Sequence, residues 1–489
     1  MRSLITHATV AIAALAAGLW LAQTPAGDSV RSAAKSATSA ALEQVANSAD
    51  LSTRTLVLAE NPGMINRIKE GGAFGGEYSL SAAQNMFGRT PDAIADVRAK
   101  TRVIEVAPRS YLIRMPIVNA AFFDTDDGIV LVDTGMGPAG PAILDAIRSV
   151  SDKPIHTIIY THGHVDHAYG TWALLEAGEN PEIIAHTAIE ERFQRYIRLR
   201  GSLARYMSQP EDQLPSTVED LVWPTRTFND RLELEIGGET FVLQHHRGET
   251  DDQLYVWVPG RGALASADYY QGFLPNAGNG KRYQRHVEDW VVALREMASL
   301  QPTFLLPAHG EPITEEATIV ENFTVLADAL QHIVDHTIDG LNAGLRKDEI
   351  YGSVQLPQRL AEHPTLKVQY VTANDISRMI IKQYTGWWDD IPSHWTPAPM
   401  ADQGQMIIDL AGGDPAALTS YARGLIQQDI RLASHLTDWL FYAQPDDADV
   451  QALVFEVYRA RIMDPSTNTM EMLTYLDQMT AARERARQR

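Results

Sequence analysis

A six-residue stretch near the middle of the chain combines three imidazoles with one carboxylate. It reads HGHVDH at 162–167 and closes an apolar run at 156–162 that is typical of a buried strand. Because alternate residues of an extended segment point the same way, His162 and His164 can converge on one ion. The turn that follows can direct Asp166 and His167 to a second ion. Imidazole with carboxylate is a ligand set of Zn²⁺, Fe or Mn, so the stretch predicts a two-metal site.

The HGHVDH stretch resembles the signature of the metallo-β-lactamase superfamily. The earlier LVDTG, with Asp133, is similar to the first motif of that family, whose aspartate usually orients the metal loop. Three more family positions follow strand-like runs, namely Glu249 in RGET, Asp268 in GALASAD and His309 in FLLPAHG. The resemblance implies one metal on His162, His164 and Glu249, a second metal on Asp166, His167 and His309, and Asp268 as the bridge between them.

Glu249 stands where most of the superfamily has histidine. In this replacement the sequence resembles the alkyl sulfatase branch. The segment from LPQRL to SHWTPAP at 356–399 resembles the helical dimerisation domain of that branch, and PNAGN at 275–279 also matches. Two departures stand out. Asn374-Asp375 stands where the secreted members have Ser-His-Asn. Those members also continue into a sterol-carrier-like domain, for which few residues remain here after residue 480.

The branch implies roles for several further residues. Asp166 and Asp268 are expected to act in catalysis as ligands, and Asp375 would be the general acid if its pKa were raised. An anionic substrate is expected to contact Asn276, Asn279 and Arg282. The expected reaction is cleavage of alkyl sulfate esters to alcohol and sulfate by a metal-bound hydroxide, with two Zn²⁺ and with Fe or Mn left open.

Other readings of the same residues stay open at this stage. A two-metal hydrolase of a lactone, a carboxylic ester or a phosphoester is the alternative, favoured by the two departures. β-Lactam hydrolysis is a weaker expectation because of Glu249 and the helical extension. A non-enzymatic interaction protein would be expected to have broken metal ligands, and none of the seven is broken.

The elements that must position these residues alternate between strand and helix. The expected fold class is α/β, a metallo-β-lactamase αββα sandwich followed by an all-α region that combines a dimerisation domain with a tetratricopeptide-like (TPR-like) helix pair. The expected boundaries are a signal peptide at 1–26, an N-terminal arm at 27–100 without a clear helical period over 61–100, the metal domain at 101–315, the dimerisation domain at 316–400 and a C-terminal helical region at 401–489.

The amino-acid composition limits which binding partners and which cellular compartment the protein can have. The formal charge of −21 argues against a nucleic-acid partner, and the absence of cysteine excludes disulfides and thiolate metal ligands. The apolar run from Ala8 to Leu21 is about 14 residues, shorter than the ~20 that span a bilayer. With Arg2 ahead of it, the run predicts a cleaved signal and a periplasmic or secreted protein that does not span the membrane once processed. We expect a homodimer acting on a small ester, an amphiphilic anion.

Overall fold

The computed structural model describes residues 53–61, 63–64, 66 and 79–488 of the 489-residue chain. The predicted signal at 1–26, and residues 27–52 of the predicted arm, lie outside the described residues. The chain divides into two compact units, one at 71–395 and one that combines residues up to 70 with 396–489. The larger unit contains every residue of the predicted metal site.

Two sheets form the centre of the larger unit. The first is a mixed sheet in the order β1-β2-β3-β4-β5-β6-β7, and the second is a five-stranded sheet in the order β12-β11-β10-β9-β8. Their strands are β1 Arg102–Ala107, β2 Ser110–Arg114, β3 Asn119–Asp124, β4 Ile129–Val132, β5 Ile155–Ile159, β6 Glu182–His186, β7 Arg226–Phe228, β8 Arg231–Ile236, β9 Glu239–His245, β10 Leu254–Val258, β11 Ala263–Ala265 and β12 Phe304–Leu306.

The α-helices precede, connect and follow these strands. They are α1 Thr53–Glu60, α2 Leu80–Gln84, α3 Pro91–Lys100, α4 Gly140–Arg148, α5 Val165–Ala168, α6 Thr171–Glu176, α7 Ile189–Arg198, α8 Arg200–Met207, α9 Val287–Ser299, α10 Glu316–Asn342, α11 Lys347–Ser353, α12 Gln358–Ala361, α13 Ala373–Tyr384, α14 Met400–Leu410, α15 Pro415–Leu425, α16 Ile430–Ala443, α17 Ala448–Met463 and α18 Thr469–Arg487. The predicted sandwich and the all-helical region after it are both confirmed.

Side-chain alternation along β4 builds two cores at once. Val130 and Val132 join the core between the two sheets, where they meet residues of the second sheet such as Phe241. Ile129 and Leu131 face the other way, into a core shared with α4. A strand buried on both faces explains the uninterrupted apolar run in the sequence.

The sheet topology gathers several chain segments at one edge. Strand β4 is parallel to β5, and β11 is parallel to β12. Because parallel strands end on the same side, the loops that follow each pair leave the sandwich together. Asn119 fixes the loop after β12, since its Nδ2 donates to the carbonyls of Pro307 and Gly310, each at 2.9 Å.

The smaller unit consists of helices around its own apolar core. Leu440, Leu453, Val457 and Leu476 are among its buried residues. Carboxylate and amide side chains begin the helices, and Asp447, for example, accepts from the backbone of Val450 at 2.9 Å. The helix pair predicted from Ala422 onward is seen as α16 and α17.

The sequence interpretation is wrong over part of the arm. No helix was expected at 61–100, but α2 and α3 lie there. Thr90 caps α3, accepting from Ala93 N at 3.4 Å, and Pro91 occupies the first helical position. This is a helix-start signal that a search for apolar period alone does not register. Across the described residues, no helix combines the length and apolarity needed to cross a membrane.

Candidate metal centre

The HGHVDH loop leaves β5 and turns directly into the short helix α5. Gly163 N donates to Asp252 Oδ2 at 2.7 Å, which fixes the turn. A Cβ at Gly163 would lie 2.8 Å from Arg192 Cγ, so this close approach requires glycine. At the other end of the loop, His167 O accepts from Thr134 N at 2.6 Å and ties α5 to the chain that follows β4.

Two groups of three side chains have the spacing of metal ligands. The first group is His162, His164 and Asp268, and the second is Asp166, His167 and His309. Within each group the ligand atoms all lie within 4.8 Å of one another. Six of the seven predicted ligands therefore meet in two triads. Each triad mixes imidazole with carboxylate, which suits a divalent transition metal.

Asp268 belongs to the first triad and also faces the second. Its Oδ1 is 3.3 Å from His167 Nε2 and 3.2 Å from His309 Nε2. Its Oδ2 lies on the side of the first triad, 3.9 Å from His162 Nε2. A carboxylate with one oxygen directed at each triad has the geometry of a bridging ligand.

Both histidines of the second triad are oriented by hydrogen bonds from the opposite ring nitrogen. His167 Nδ1 lies 2.7 Å from Asp133 Oδ2, and His309 Nδ1 lies 2.7 Å from the carbonyl of Ile117. These bonds place the proton on Nδ1 and leave Nε2 facing the carboxylates of the site. Asp133 therefore holds the position that the sequence predicts for it, behind the ligands.

Asp133 is held in an unusual backbone conformation. Its φ is 64°, in the left-handed region, and Ala267, just before Asp268, has a φ of 49°. Each such non-glycine residue costs on the order of 1 kcal/mol. At Asp133 the turn allows Oδ1 to accept from Thr161 N at 2.7 Å while Oδ2 reaches His167. Backbone strain is thus located next to two of the carboxylates on which the site depends.

The electrostatics of the first triad favour neutral imidazoles. Burial, together with the neighbouring His167, lowers the pKa of His162 well below its ordinary value. Burial and the adjacent His162 do the same to the pKa of His164. Neutral imidazole is the form that binds a metal, so these rings need not release a proton when an ion enters at neutral pH.

The residues at the centre of the site fit a pair of cations. Burial disfavours charge on Asp268, but the His309 and His167 rings hold its pKa well below the ordinary range. Asp268 Oδ1 and His167 Nε2 are buried and make no hydrogen bond with any described residue. Buried polar atoms without a partner are rare and need an explanation. A cation between these two atoms would take the place of the proton on Nε2 and give both atoms a partner.

Glu249, the seventh predicted ligand, lies beside the first triad and outside it. Its side chain is buried, and Oε1 is 4.0 Å from His164 Nδ1. Oε1 also accepts from Asn276 Nδ2 at 2.7 Å and lies 2.9 Å from Arg285 Nη2. Burial raises the pKa of Glu249 to about 8 despite that guanidinium. Its role as a ligand stays a prediction.

The predicted substrate contacts occupy one loop but differ in what they touch. Asn276 donates to Glu249, so its amide nitrogen is already engaged. In contrast to the amide nitrogen of Asn276, Asn279 Nδ2 and Arg282 Nη1 are buried without a hydrogen-bond partner among the described residues. Both are donors, as the binding of an anion requires.

Asp375, the predicted general acid, lies at the start of α13. Its Oδ2 accepts from Thr372 N at 2.9 Å and from Thr372 Oγ1 at 2.8 Å, which forms a capping box. A Cβ at Gly278 would lie 2.5 Å from the Asp375 carbonyl carbon, so Asp375 packs closely against the loop of predicted substrate contacts. Its part in catalysis also stays a prediction.

Sequence reasoning missed several side chains of the site. Gln271 Nε2 donates to Glu249 Oε2 at 3.0 Å and to Asp268 Oδ2 at 3.3 Å, which joins these two carboxylates. Arg285 donates to the backbone carbonyl of Glu249 and pairs with its carboxylate. Gln271 follows Asp268 by three residues, a spacing that could have drawn attention to it. Arg192 on α7 carries no such local signal.

Two family models match the chain. The metallo-beta-lactamase superfamily model covers residues 114–309, and the alkyl sulfatase dimerisation model covers residues 346–485. The first range contains both triads and strands β3 to β12 of the sandwich. The second covers the helical region from α11 into α18.

Curated relatives agree with these matches. A linear primary-alkylsulfatase from a Pseudomonas species is 28% identical over 363 residues, with 68% of each chain covered. An alkyl/aryl-sulfatase from Saccharomyces cerevisiae is 21% identical, and an (R)-specific secondary-alkylsulfatase from Pseudomonas is 23% identical. The matches to these two cover 73% and 72% of this chain but 60% and 58% of theirs.

A solved structure has the same fold. The structure of a stereoselective inverting sec-alkylsulfatase from Pseudomonas superimposes with a TM-score of 0.70 over 88% of this chain and 77% of that one, at 19% identity. At this identity the likeness concerns the fold alone. The family models and the curated relatives show that residues 114–309 belong to the metallo-beta-lactamase superfamily, that residues 346–485 form an alkyl sulfatase dimerisation region, and that the chain is an alkylsulfatase-type metallo-hydrolase.

Proposed function

We propose that the chain hydrolyses organic sulfate esters, R–O–SO₃⁻ plus water giving R–OH, sulfate and a proton. The observation that carries the proposal is the buried Asp268, which belongs to one imidazole–carboxylate triad and contacts the histidines of the other. The names of the curated relatives support the choice of sulfate esters among the substrates that such a site could accept. We propose two Zn²⁺ as the resident ions, with Fe or Mn as the alternatives that the same ligands accept.

Two divalent ions in this site would supply a water of lowered pKa and would neutralise charge that develops on the ester. The residues of the chain prepare the site for them. Asp133 holds the His167 ring with Nε2 directed inward, and Ile117 O does the same for His309. Gln271 holds Asp268 and Glu249 at a fixed separation. This arrangement keeps charged groups in place before a substrate enters.

The sulfate group would be bound by Asn279 and Arg282. Both donors are buried and lack hydrogen-bond partners in the described part of the chain. A sulfate ester presents three acceptor oxygens, so a planar guanidinium and an amide can bind it while at least one oxygen faces the triads. Asn276 would act differently from the sequence expectation, because its amide positions Glu249.

Release of sulfate from decyl sulfate and from 4-nitrophenyl sulfate is the first test. The zinc-loaded protein should release sulfate from one ester or both, and His162→Ala should abolish it because one triad loses a ligand. His156→Ala is the matched control, since His156 is an exposed residue of β5, the strand that precedes the HGHVDH loop, and its loss should leave the rate unchanged. A zinc-loaded protein that cleaves a lactone, a carboxylic ester or a phosphoester and neither sulfate would overturn the proposal.

We further propose Asp375 as the acid that protonates the leaving alcohol. A general acid contributes about 10²–10⁴-fold, and it matters little when the leaving group is already stable. Asp375→Asn should therefore lower kcat for decyl sulfate by about 100-fold and change kcat for 4-nitrophenyl sulfate by less than about threefold. The contrast between the two substrates separates acid catalysis from helix capping.

Thr372→Ala is the control for this test, because it breaks the same capping box without removing a carboxyl group. It should lower both rates by the same factor. If Asp375→Asn also lowers both rates equally, Asp375 acts by positioning the loop of Gly278 and is not the acid.

We also propose that the enzyme is exported and forms a homodimer. The dimerisation match at 346–485 supports the dimer, and the N-terminal apolar run motivates export. Native mass spectrometry of protein from the periplasmic fraction tests both. It should give two subunits, each lighter than the 54.1 kDa full chain by the mass of about the first 26 residues. A monomer, or a subunit of full-length mass, would contradict the corresponding proposal.

A further inference from the structure

Helix α7 carries two arginines on the face directed at the loop that contains Asn276, Asn279 and Arg282. This loop is called the substrate loop below. Arg192 and Arg195 are three residues apart, so they lie on one side of the helix. Their guanidinium carbons are 5.9 Å and 5.8 Å from the centroid of the Tyr283 ring, which belongs to the loop of Arg282. The Tyr283 side chain is exposed, so this pair of arginines lies where the substrate loop meets solvent.

Arg192 is the inner member of the pair. It is 6% exposed and packs against Gly163 of the HGHVDH loop. Its closest carboxylates, Asp251 and Asp252, are both at 3.9 Å, too far for hydrogen bonds. Arg192 Nη2 is buried with no hydrogen-bond partner in the described part of the molecule. A buried guanidinium donor beside the metal loop is thus left without an acceptor.

Arg195, Arg282 and Lys382 lie close together, and none pairs with a described carboxylate. Lys382 Nζ is 3.4 Å from the carbonyl of Arg282, which links α13 to the substrate loop. Burial lowers the pKa of Arg195, and the neighbouring Arg192 and Arg282 lower it further. Burial likewise lowers the pKa of Lys382, with contributions from Arg285 and Arg195. The cations therefore repel one another.

This crowding of cations is unusual for the chain that contains it. The formal charge of the protein is −21, so carboxylates are abundant and most cationic groups could have an acidic neighbour. Arg192 has Asp251 and Asp252 at 3.9 Å, but Arg195 and Lys382 have no described carboxylate at ion-pair distance, and like charges held together in this way destabilise the folded protein. An anionic ligand would remove that cost, because it would supply the missing acceptors.

A simple alkyl sulfate does not account for all of these cations. Its single negative charge is matched by Arg282 with the donor of Asn279 and the ions of the metal site. Arg285 is occupied by Glu249. Arg195 and Lys382, with the free Nη2 of Arg192, remain for a second group.

We infer that the substrate carries a second anionic group, such as a carboxylate, on the organic part of the ester, and that Arg192, Arg195 and Lys382 bind it beside the metal centre. This inference rests on the proposed function and narrows it from amphiphilic alkyl sulfates to doubly anionic sulfate esters. Arg195 is the specificity-determining residue, because it contacts the same aromatic ring as Arg192 and has no other charged partner among the described residues.

Calorimetric binding of sulfonates to the metal-loaded protein tests the inference without requiring turnover. The probes are ω-sulfoalkanoates with two to six methylene groups, each compared with the alkanesulfonate of the same length. At least one ω-sulfoalkanoate should bind about tenfold more tightly than its partner, since a hydrogen bond to a charged group contributes roughly this factor. Arg195→Gln should remove the preference, and Arg195→Lys should keep part of it.

Arg198→Gln is the matched control, because Arg198 is an exposed arginine one turn further along the same helix. It should leave the preference intact. Equal affinity for every pair of probes, or a preference that survives Arg195→Gln, would overturn the inference. Sulfate release from decyl sulfate is measured separately, so a failure of the second anionic site and a failure of sulfate-ester hydrolysis give different results.

Discussion

The burial of several carboxylates in one small volume is the constraint on which the rest of the site depends. Asp133, Glu249 and Asp268 are each no more than 3% exposed. A buried carboxylate without a partner costs several kcal/mol. His167, His309 and Arg285 supply part of the compensation, but burial still raises the pKa of Glu249 to about 8. Divalent cations in the two triads would supply the rest of the compensation for burying these carboxylates. The fold and the ions would then stabilise each other.

The sandwich is the means by which these groups are brought together. Parallel pairs of strands end at one edge, and the loop after each strand contributes one or more of the side chains. Left-handed backbone at Asp133 and Ala267 shows that the edge is held in a conformation that the local sequence does not favour. The two cores around β4 stabilise this edge. Rigid elements therefore hold the functional side chains in place, and the loops between them can vary.

The sequence was sufficient to select six of the residues that the structure gathers in two triads and insufficient for their surroundings. The spacing of HGHVDH and the strand-ending positions of Asp268 and His309 are local features, and the structure brings these residues together. Arg192 and Arg195 became visible only through their contacts with Tyr283. Contacts across the fold depend on tertiary packing, which leaves no period or motif in one sequence. The capping box of Thr372 and Asp375 is different, because it is a local pattern of two residues three positions apart that the sequence interpretation overlooked.

The number of metal ions per chain tests the central claim most directly. Asp268 belongs to one triad and faces the other, so the wild-type protein should hold two ions per chain by inductively coupled plasma mass spectrometry. Asp268→Asn, which keeps the shape of the side chain and removes its charge, should lose most of both. A wild-type chain that saturates at one ion, or an Asp268→Asn variant that retains two, would contradict the shared-carboxylate site.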